Sequence, residues 1–288
     1  MRKLWLVGLV AASLGLSACG ATATLNGAVA SLGSSPDLQV HLTGAVSGDV
    51  STAAQPVLSA LSIDLNYSNP TGAPLAQSPG SADAEVVVNA GGAALIDIRE
   101  VGGDVYAMLD VSALANIPSA KLSSAETAAL ELLVGGRWFE FPASLISSYA
   151  PTGDAATMTK ERQLSTQILD DLVALIDGTS YTTLSDGGYS QTGSLASVVK
   201  AVWPTIASVD PQGTMPSDVP GSYTVTVTTS GTTATGGSVS ITAPNGTSGT
   251  ERATLTATVA HANEAVIAPT GAIVVTRTLL QGLLAQAT

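Results

Sequence analysis

Cysteine is almost absent from this chain: of 288 residues only Cys19 carries a thiol. That excludes an intramolecular disulfide and a thiolate zinc cluster, so stability must come from a buried core. Charge is scarce as well, at 11% of residues, and lopsided, with ten basic against 22 acidic side chains. Nucleic acid is a poor partner for such a surface, because that binding depends on neutralising phosphates. Anionic lipid headgroups would repel it on average. Aromatics are few, with two Phe, three Trp and six Tyr, which leaves a mainly aliphatic core of Leu, Val, Ile and Ala. The two histidines, His41 and His261, are far apart in sequence and too few for a zinc site on their own. No Gly-rich loop leads into Lys-Ser/Thr, and no Gly-x-Ser-x-Gly occurs, so nucleotide binding and an elbow-mounted serine nucleophile lack support.

What is present begins at the N-terminus. Arg2-Lys3 precede an apolar run from Leu4 to Leu14, and Leu16-Ser17-Ala18-Cys19 follows. A basic start, a short apolar stretch and small residues before a cut mark an exported segment. The run is shorter than the ~20 residues that span a bilayer. The arrangement resembles a bacterial lipoprotein signal peptide with its lipobox, which implies cleavage after residue 18 and acylation of Cys19. Two or more acyl chains on one residue anchor stably where one does not. Removing Arg2 and Lys3 with the signal would leave eight basic residues against 22 acidic ones. Residues 20–36 are small and polar and read as a tether; as a coil it would reach about 20–25 Å.

From Asp37 the sequence alternates with period two. Leu38, Val40 and Leu42 oppose Gln39, His41 and Thr43. Ser62–Ser68, Glu85–Asn89, Ala94–Glu100 and Asp104–Asp110 read as further strands, the last two joined at Gly102-Gly103, a pair suited to a tight hairpin. Asp110 suits an N-cap for a short helix ending before Pro118, and Ser123 with Glu126 has capping-box spacing for a helix that Gly135-Gly136 closes. Arg137–Phe141 reads as a strand. The longest amphipathic helix is expected over Thr159–Asp177, with Leu164, Ile168, Leu172 and Ile176 on one stripe. A helix over Ser194–Trp203 is expected to stop at Pro204. Strands return around Tyr223–Thr228, Val239–Ile241 and Thr254–Val259, separated by long Thr/Gly-rich loops near 229–237 and 243–251. Ile273–Val275 reads as a last strand and Arg277–Gln286 as a terminal helix.

Strands, then helices, then strands give an α+β class. One-sided alternation means antiparallel sheet with one wet face. The economical arrangement is a long curved antiparallel sheet, a half-barrel, with amphipathic helices packed on its concave face, as one domain over 37–288. Two smaller sheet-helix domains split near Pro151 are the alternative.

With those elements in place, the chain resembles the LppX/LprG-type lipoproteins of actinobacterial envelopes, which are similar in fold to the LolA/LolB lipoprotein carriers. The likeness rests on Ile98-Arg99-Glu100-Val101-Gly102-Gly103-Asp104-Val105-Tyr106, then Leu133-Val134-Gly135-Gly136-Arg137-Trp138-Phe139, and Leu184-Ser185-Asp186-Gly187-Gly188-Tyr189 before the next helix. It implies an apolar cavity between sheet and helices that binds the acyl chains of an envelope lipid or lipoglycan. Candidate lining residues on the sheet side are Ile96, Ile98, Leu109, Phe139 and Phe141. On the helix side they are Leu133, Leu164, Ile168, Leu172 and Ile176. The same residues would serve equally well in a filled core.

Ser197-Val198-Val199-Lys200 matches the Ser-x-x-Lys pattern of penicillin-binding enzymes, but the companion Ser-Asp-Asn and Lys-Thr-Gly motifs are missing, and a solvated helix face explains it as well. His41 and His261 read as surface residues. Asp170-Asp171 reads as a solvated helix face. No catalytic residue, cofactor or metal is expected. The chain reads as a non-enzymatic lipoprotein on the outer face of the cytoplasmic membrane, anchored through acylated Cys19, that binds and transfers an amphipathic lipid. The alternative is an envelope scaffold with a filled core and a Thr-rich face for a protein partner or cell-wall polymer.

Overall fold

The computed structural model describes residues 27, 31–48, 54–77, 81–117, 123–149, 167–168, 171–172, 174–175, 180–209, 212–245, 249–261, 265–279 and 281. Cys19, residues 1–18 that read as a signal peptide, Leu164 and Ile176 lie outside them. Twelve strands join one open sheet: β1 (Asp37–Gly48), β2 (Leu61–Ser68), β3 (Asp83–Ala90), β4 (Ala93–Val101), β5 (Asp104–Leu109), β6 (Trp138–Phe141), β7 (Thr182–Thr183), β8 (Tyr189–Ser194), β9 (Ser222–Ser230), β10 (Thr233–Asn245), β11 (Gly249–Ala260) and β12 (Ile273–Val274). Their spatial order is β12-β6-β5-β4-β3-β2-β1-β11-β10-β9-β8-β7. Every neighbouring pair is antiparallel except β12 and β6. The chain is thus an α+β protein built on a curved, unclosed sheet.

Register turns the local alternation into a property of the whole sheet. Val40 stands opposite Leu65 on β2 and Val259 on β11. Leu65 opposes Val86, which opposes Ile98, then Ala107 and Phe139. In the other direction Leu255 opposes Val239, then Val225, then Gln191. Directly paired residues share a face, so one apolar inner face runs from β6 to β8. The opposite face carries His41, Asp64, Glu85 and Arg99 on one half and serine and threonine on the other.

The main core sits on the inner face, where Leu38, Val40, Leu65, Tyr189 and Val227 meet Leu32 and Tyr181. Leu32 is buried, and the amides of Leu75 and Ala76 donate to the carbonyls of Ser35 and Gly33. The end of the segment read as a tether, from residue 31, therefore belongs to the fold, because an apolar side chain there has a core to enter. A second cluster joins Ala90, Leu95 and Ala113 with Ile96 and Leu109 beneath a short 3-10 helix, Val111–Asn116. Asp110 caps that helix, its side chain accepting the Ser112 amide.

The α-helices with both bounds described are α1 (Ala54–Ala60), α2 (Ser124–Leu133), α3 (Ala143–Tyr149) and α4 (Leu195–Val209); residues 277–279 and 281, within the expected terminal helix, are helical too. In α2 both halves of the capping box form between Ser123 and Glu126. Residues 167–168, 171–172 and 174–175 are helical, as the amphipathic stripe predicts; the rest of that stretch lies outside the described residues.

Two expectations fail. The helix at 195 does not stop at Pro204 but continues to Val209 with the proline inside. Proline withholds one backbone bond; the turn carrying it is held instead by side chains, with Thr205 buried and its hydroxyl donating to Asp171 at 2.5 Å. The expected loops at 229–237 and 243–251 are mostly strand, in long paired β10 and β11. Gly236 and Gly237 belong in the ladder because a Cβ would stand 2.5 Å from the Ala257 carbonyl oxygen at the first and 2.4 Å from that of Thr226 at the second. Here glycine marks close strand approach rather than a turn.

Candidate functional site

The inner face is the one extended apolar surface built by the described strands. Ile96, Ile98, Leu109, Phe139 and Phe141 all lie on it by register, and all five are half-buried. Ile96 and Leu109 are also packed against the second core cluster. Ile168 and Leu172 are helical and half-buried. Leu133 ends α2, and its side chain is outside the described set.

The sequence reading missed the far half of this face. On β10 and β11, Val239, Ile241 and Leu255 are 41%, 44% and 51% exposed. Val239 pairs with Leu255 across the ladder, and Ile241 pairs with Tyr223. These three large aliphatic side chains form a patch continuous with the buried Val225 and Val227. The alternation of Val239 and Ile241 with Ser238, Ser240 and Thr242 placed them on one face, but their exposure has no signature in sequence.

Polar groups on the inner face are few. The charged residues at its strand positions are Glu100 and Glu251, both acidic and both near strand ends. One buried polar pair interrupts the apolar surface: Gln191, 3% exposed, donates from Nε2 to the hydroxyl of Tyr223, 5% exposed, at 3.3 Å.

The outer face is organised differently. Arg99 lies 2.8 Å from Glu85 and 3.0 Å from Asp97, and its guanidinium stacks 4.7 Å from the Trp138 ring. Asn66 donates to Glu85 from the adjacent strand. Burial pushes the Asp97 carboxyl above the ordinary carboxylate range; the hydrogen bond and charge of Arg99 pull it back, and the nearby Glu85 charge adds to the rise. The segment after β11 crosses this network. The Val266 amide donates to Ser68 at 2.9 Å, Arg99 donates to the Ile267 carbonyl at 3.2 Å, and the Val275 amide donates to the Glu140 carbonyl at 2.8 Å. This strap ends in β12 on the edge of β6.

Candidate catalytic groups are placed plainly. His41 is half-buried rather than a free surface residue: its Nδ1 lies 2.5 Å from Asp64, which also accepts from Asn89 at 2.6 Å. A His-Asp pair alone lacks a nucleophile. His261 is exposed, with Nδ1 3.4 Å from the Asp37 carbonyl oxygen. Ser197 sits in the first turn of α4, its hydroxyl donating to the Ser194 carbonyl at 2.6 Å while its amide donates to the Ser194 hydroxyl. That is helix-start hydrogen bonding. Among the described residues no group of three or more His, Cys, Asp or Glu side chains is arranged to hold a metal ion. Among them, too, no helix is long and apolar enough to cross a membrane.

No protein-family model matches the chain, and no curated protein matches it in sequence. Among solved structures, the crystal structure of the Mycobacterium tuberculosis lipoprotein LppX is similar to it at 16% identity, with 86% of this chain and 97% of that chain covered and a TM-score of 0.33.

Proposed function

We propose that this protein holds an amphipathic lipid against the inner face of its sheet while anchored to a membrane through acylated Cys19. One observation carries the reading: an apolar face continuous across the sheet leaves Val239, Ile241 and Leu255 exposed. Acyl chains laid on such a face gain about 0.8 kcal/mol per buried CH₂. A single chain of a dozen or more methylenes therefore binds without any charged contact. Ile98, Phe139 and Phe141 would line one half of the trough, the exposed patch the other. Delivery of the lipid to a second membrane or protein, and a lipoglycan as cargo, are the further steps of this reading.

The test is native mass spectrometry of the full chain carrying Cys19→Ser, purified without detergent. An adduct of lipid mass that organic solvent removes supports the reading. A bare mass after incubation with a mixed envelope lipid extract counts against it. The anchor is tested separately: metabolic labelling with an alkynyl palmitate should mark the native chain and not Cys19→Ser.

A second reading draws on the outer face of β8–β11, where hydroxyls pair across strands: Thr192 with Thr224 at 3.1 Å, Thr226 with Ser238 at 2.7 Å, and Ser240 with Thr254 at 2.5 Å. A hydroxyl-rich surface of four strands, on which Arg252 donates to Thr242, suits contact with a partner protein or polymer. Recovery of a defined partner by an empty protein would favour it.

A further inference from the structure

Burial falls along the inner face from one end of the strands to the other. At the Asp37 end, Leu38, Val40, Val227 and Ala234 are at most 8% exposed and pack in one cluster with Leu32. Further along β10 and β11, toward the Asn245–Gly249 pair, Val239, Ile241 and Leu255 are 41%, 44% and 51% exposed. A chain laid along these strands therefore meets packed side chains at the Asp37 end and open space at the other, where β10 turns into β11.

Charge distinguishes the two ends as well. Residues 233–260, which make up β10, β11 and their connection, hold two charged side chains, Glu251 and Arg252. Neighbours on a strand point to opposite faces. Arg252 takes the outer face, where its Nε donates to the Thr242 hydroxyl at 3.3 Å. Glu251 takes the inner face, in line with Ala253 and Leu255, and lies about 13 Å along the strand from Leu255. It stands half-buried between Gly48 on β1 and Ala243 on β10, both small. The other acidic position of this face, Glu100, shares a cross-strand row with Leu38 through Ala84 and Tyr67, at the stopped end.

We propose that the lipid enters the trough tail-first at the β10–β11 turn and leaves its headgroup there, where Glu251 selects a glycosyl head over a phosphate. This rests on the lipid-trough reading and deepens it. A tail entering at the open end runs over Ile241, Leu255 and Val239 and stops against the Val40 and Val227 cluster. Head-first entry would drive polar groups into that apolar cluster, which is costly. With the tail so seated, the head comes to rest at Glu251. A carboxylate only accepts hydrogen bonds and accepts several at once, so sugar hydroxyls suit it as donors. A phosphate brought to the same place meets a like charge. The nearest cation in sequence, Arg252, is turned to the other face.

The experiment compares two lipids with the same acyl chains, monogalactosyl diacylglycerol and phosphatidylglycerol, each delivered from cyclodextrin to the full chain carrying Cys19→Ser. The galactolipid is expected to bind roughly ten-fold tighter, the scale of one hydrogen bond to a charged group. Glu251→Gln should narrow that ratio several-fold. Glu100→Gln removes the same charge at the stopped end and should leave the ratio as it is. A galactolipid carrying a diazirine at the tip of one acyl chain should label residues 225–227 and not residues 249–251. A ratio that Glu251→Gln leaves unmoved, or that Glu100→Gln moves instead, overturns the inference, as does tail labelling of residues 249–251; in each case lipid is still bound and the trough reading stands. Failure to bind either lipid overturns both.

Discussion

Arg99 donates to the carbonyl of Ile267, a residue 168 positions further along the chain. This contact ties the strap after β11 to the C-terminal part of β4, across the face opposite the apolar inner face. The strap then pairs with β6 beside Phe139, so the outer-face network and the inner-face lining share the same strands.

Removing that guanidinium should be costly. Arg99→Met leaves Glu85 and Asp97 side by side without a cation and frees the Ile267 carbonyl. Breaking one partner of such a buried pair typically costs about 3 kcal/mol. Urea unfolding should show that loss, and limited proteolysis should find new cleavage between residues 261 and 275. Unchanged stability would mean that the strap is held by its backbone pairing alone.

The raised carboxyl of Asp97 gives a pH dependence with a definite sign. The folded state holds this proton more tightly than the unfolded chain does. Its stabilising contribution is therefore complete below the ordinary carboxylate value and is lost as pH rises through the raised one. Asp97→Asn cannot titrate, so native stability should fall relative to this variant across that window. Urea titrations at stepped pH check it; parallel curves would refute the assignment.

Gly237→Ala should disrupt the β9–β10 pairing, since the new Cβ would meet the Thr226 carbonyl oxygen at 2.4 Å. A clash against backbone in a packed ladder costs about 1–3 kcal/mol. Thermal melting should register the loss, whereas Gly231→Ala, where no atom lies within 4 Å but φ is +61°, should cost less.

The exposed patch separates function from stability. Val239→Thr with Leu255→Gln should change unfolding free energy by no more than about 0.5 kcal/mol, as expected for exposed positions. Lipid-probe affinity should fall several-fold. A double variant that binds the probe as the native chain does would remove the patch from the trough.

Much of the architecture was legible because strand geometry writes itself into sequence. Leu38, Val40 and Leu42 alternate with polar neighbours, and each residue lands on the expected face. Ser123 and Glu126 mark a helix start through local hydrogen bonds, and the Gly102-Gly103 turn follows from backbone freedom, with φ of +61° and +92°. The errors came where a local signal was overridden. Gly236-Gly237 looked like a loop because glycine usually marks one, yet carbonyls of neighbouring strands demand it there. Pro204 looked like a stop, yet contacts from Thr205 carry the helix past it. β8 was invisible, since Tyr189, Gln191 and Gly193 on one face and Ser190, Thr192 and Ser194 on the other show no apolar alternation.

What the sequence determined by itself was the segregation of apolar and polar faces, because side chains alternate across a strand whatever its partners are. Strand order, the strap pinned by Arg99, the exposure of Val239, Ile241 and Leu255, and the setting of Glu251 at the open end of the inner face were decided only by the tertiary structure. Each depends on which strands lie side by side, and contacts between residues tens to hundreds of positions apart leave no period in the chain that makes them.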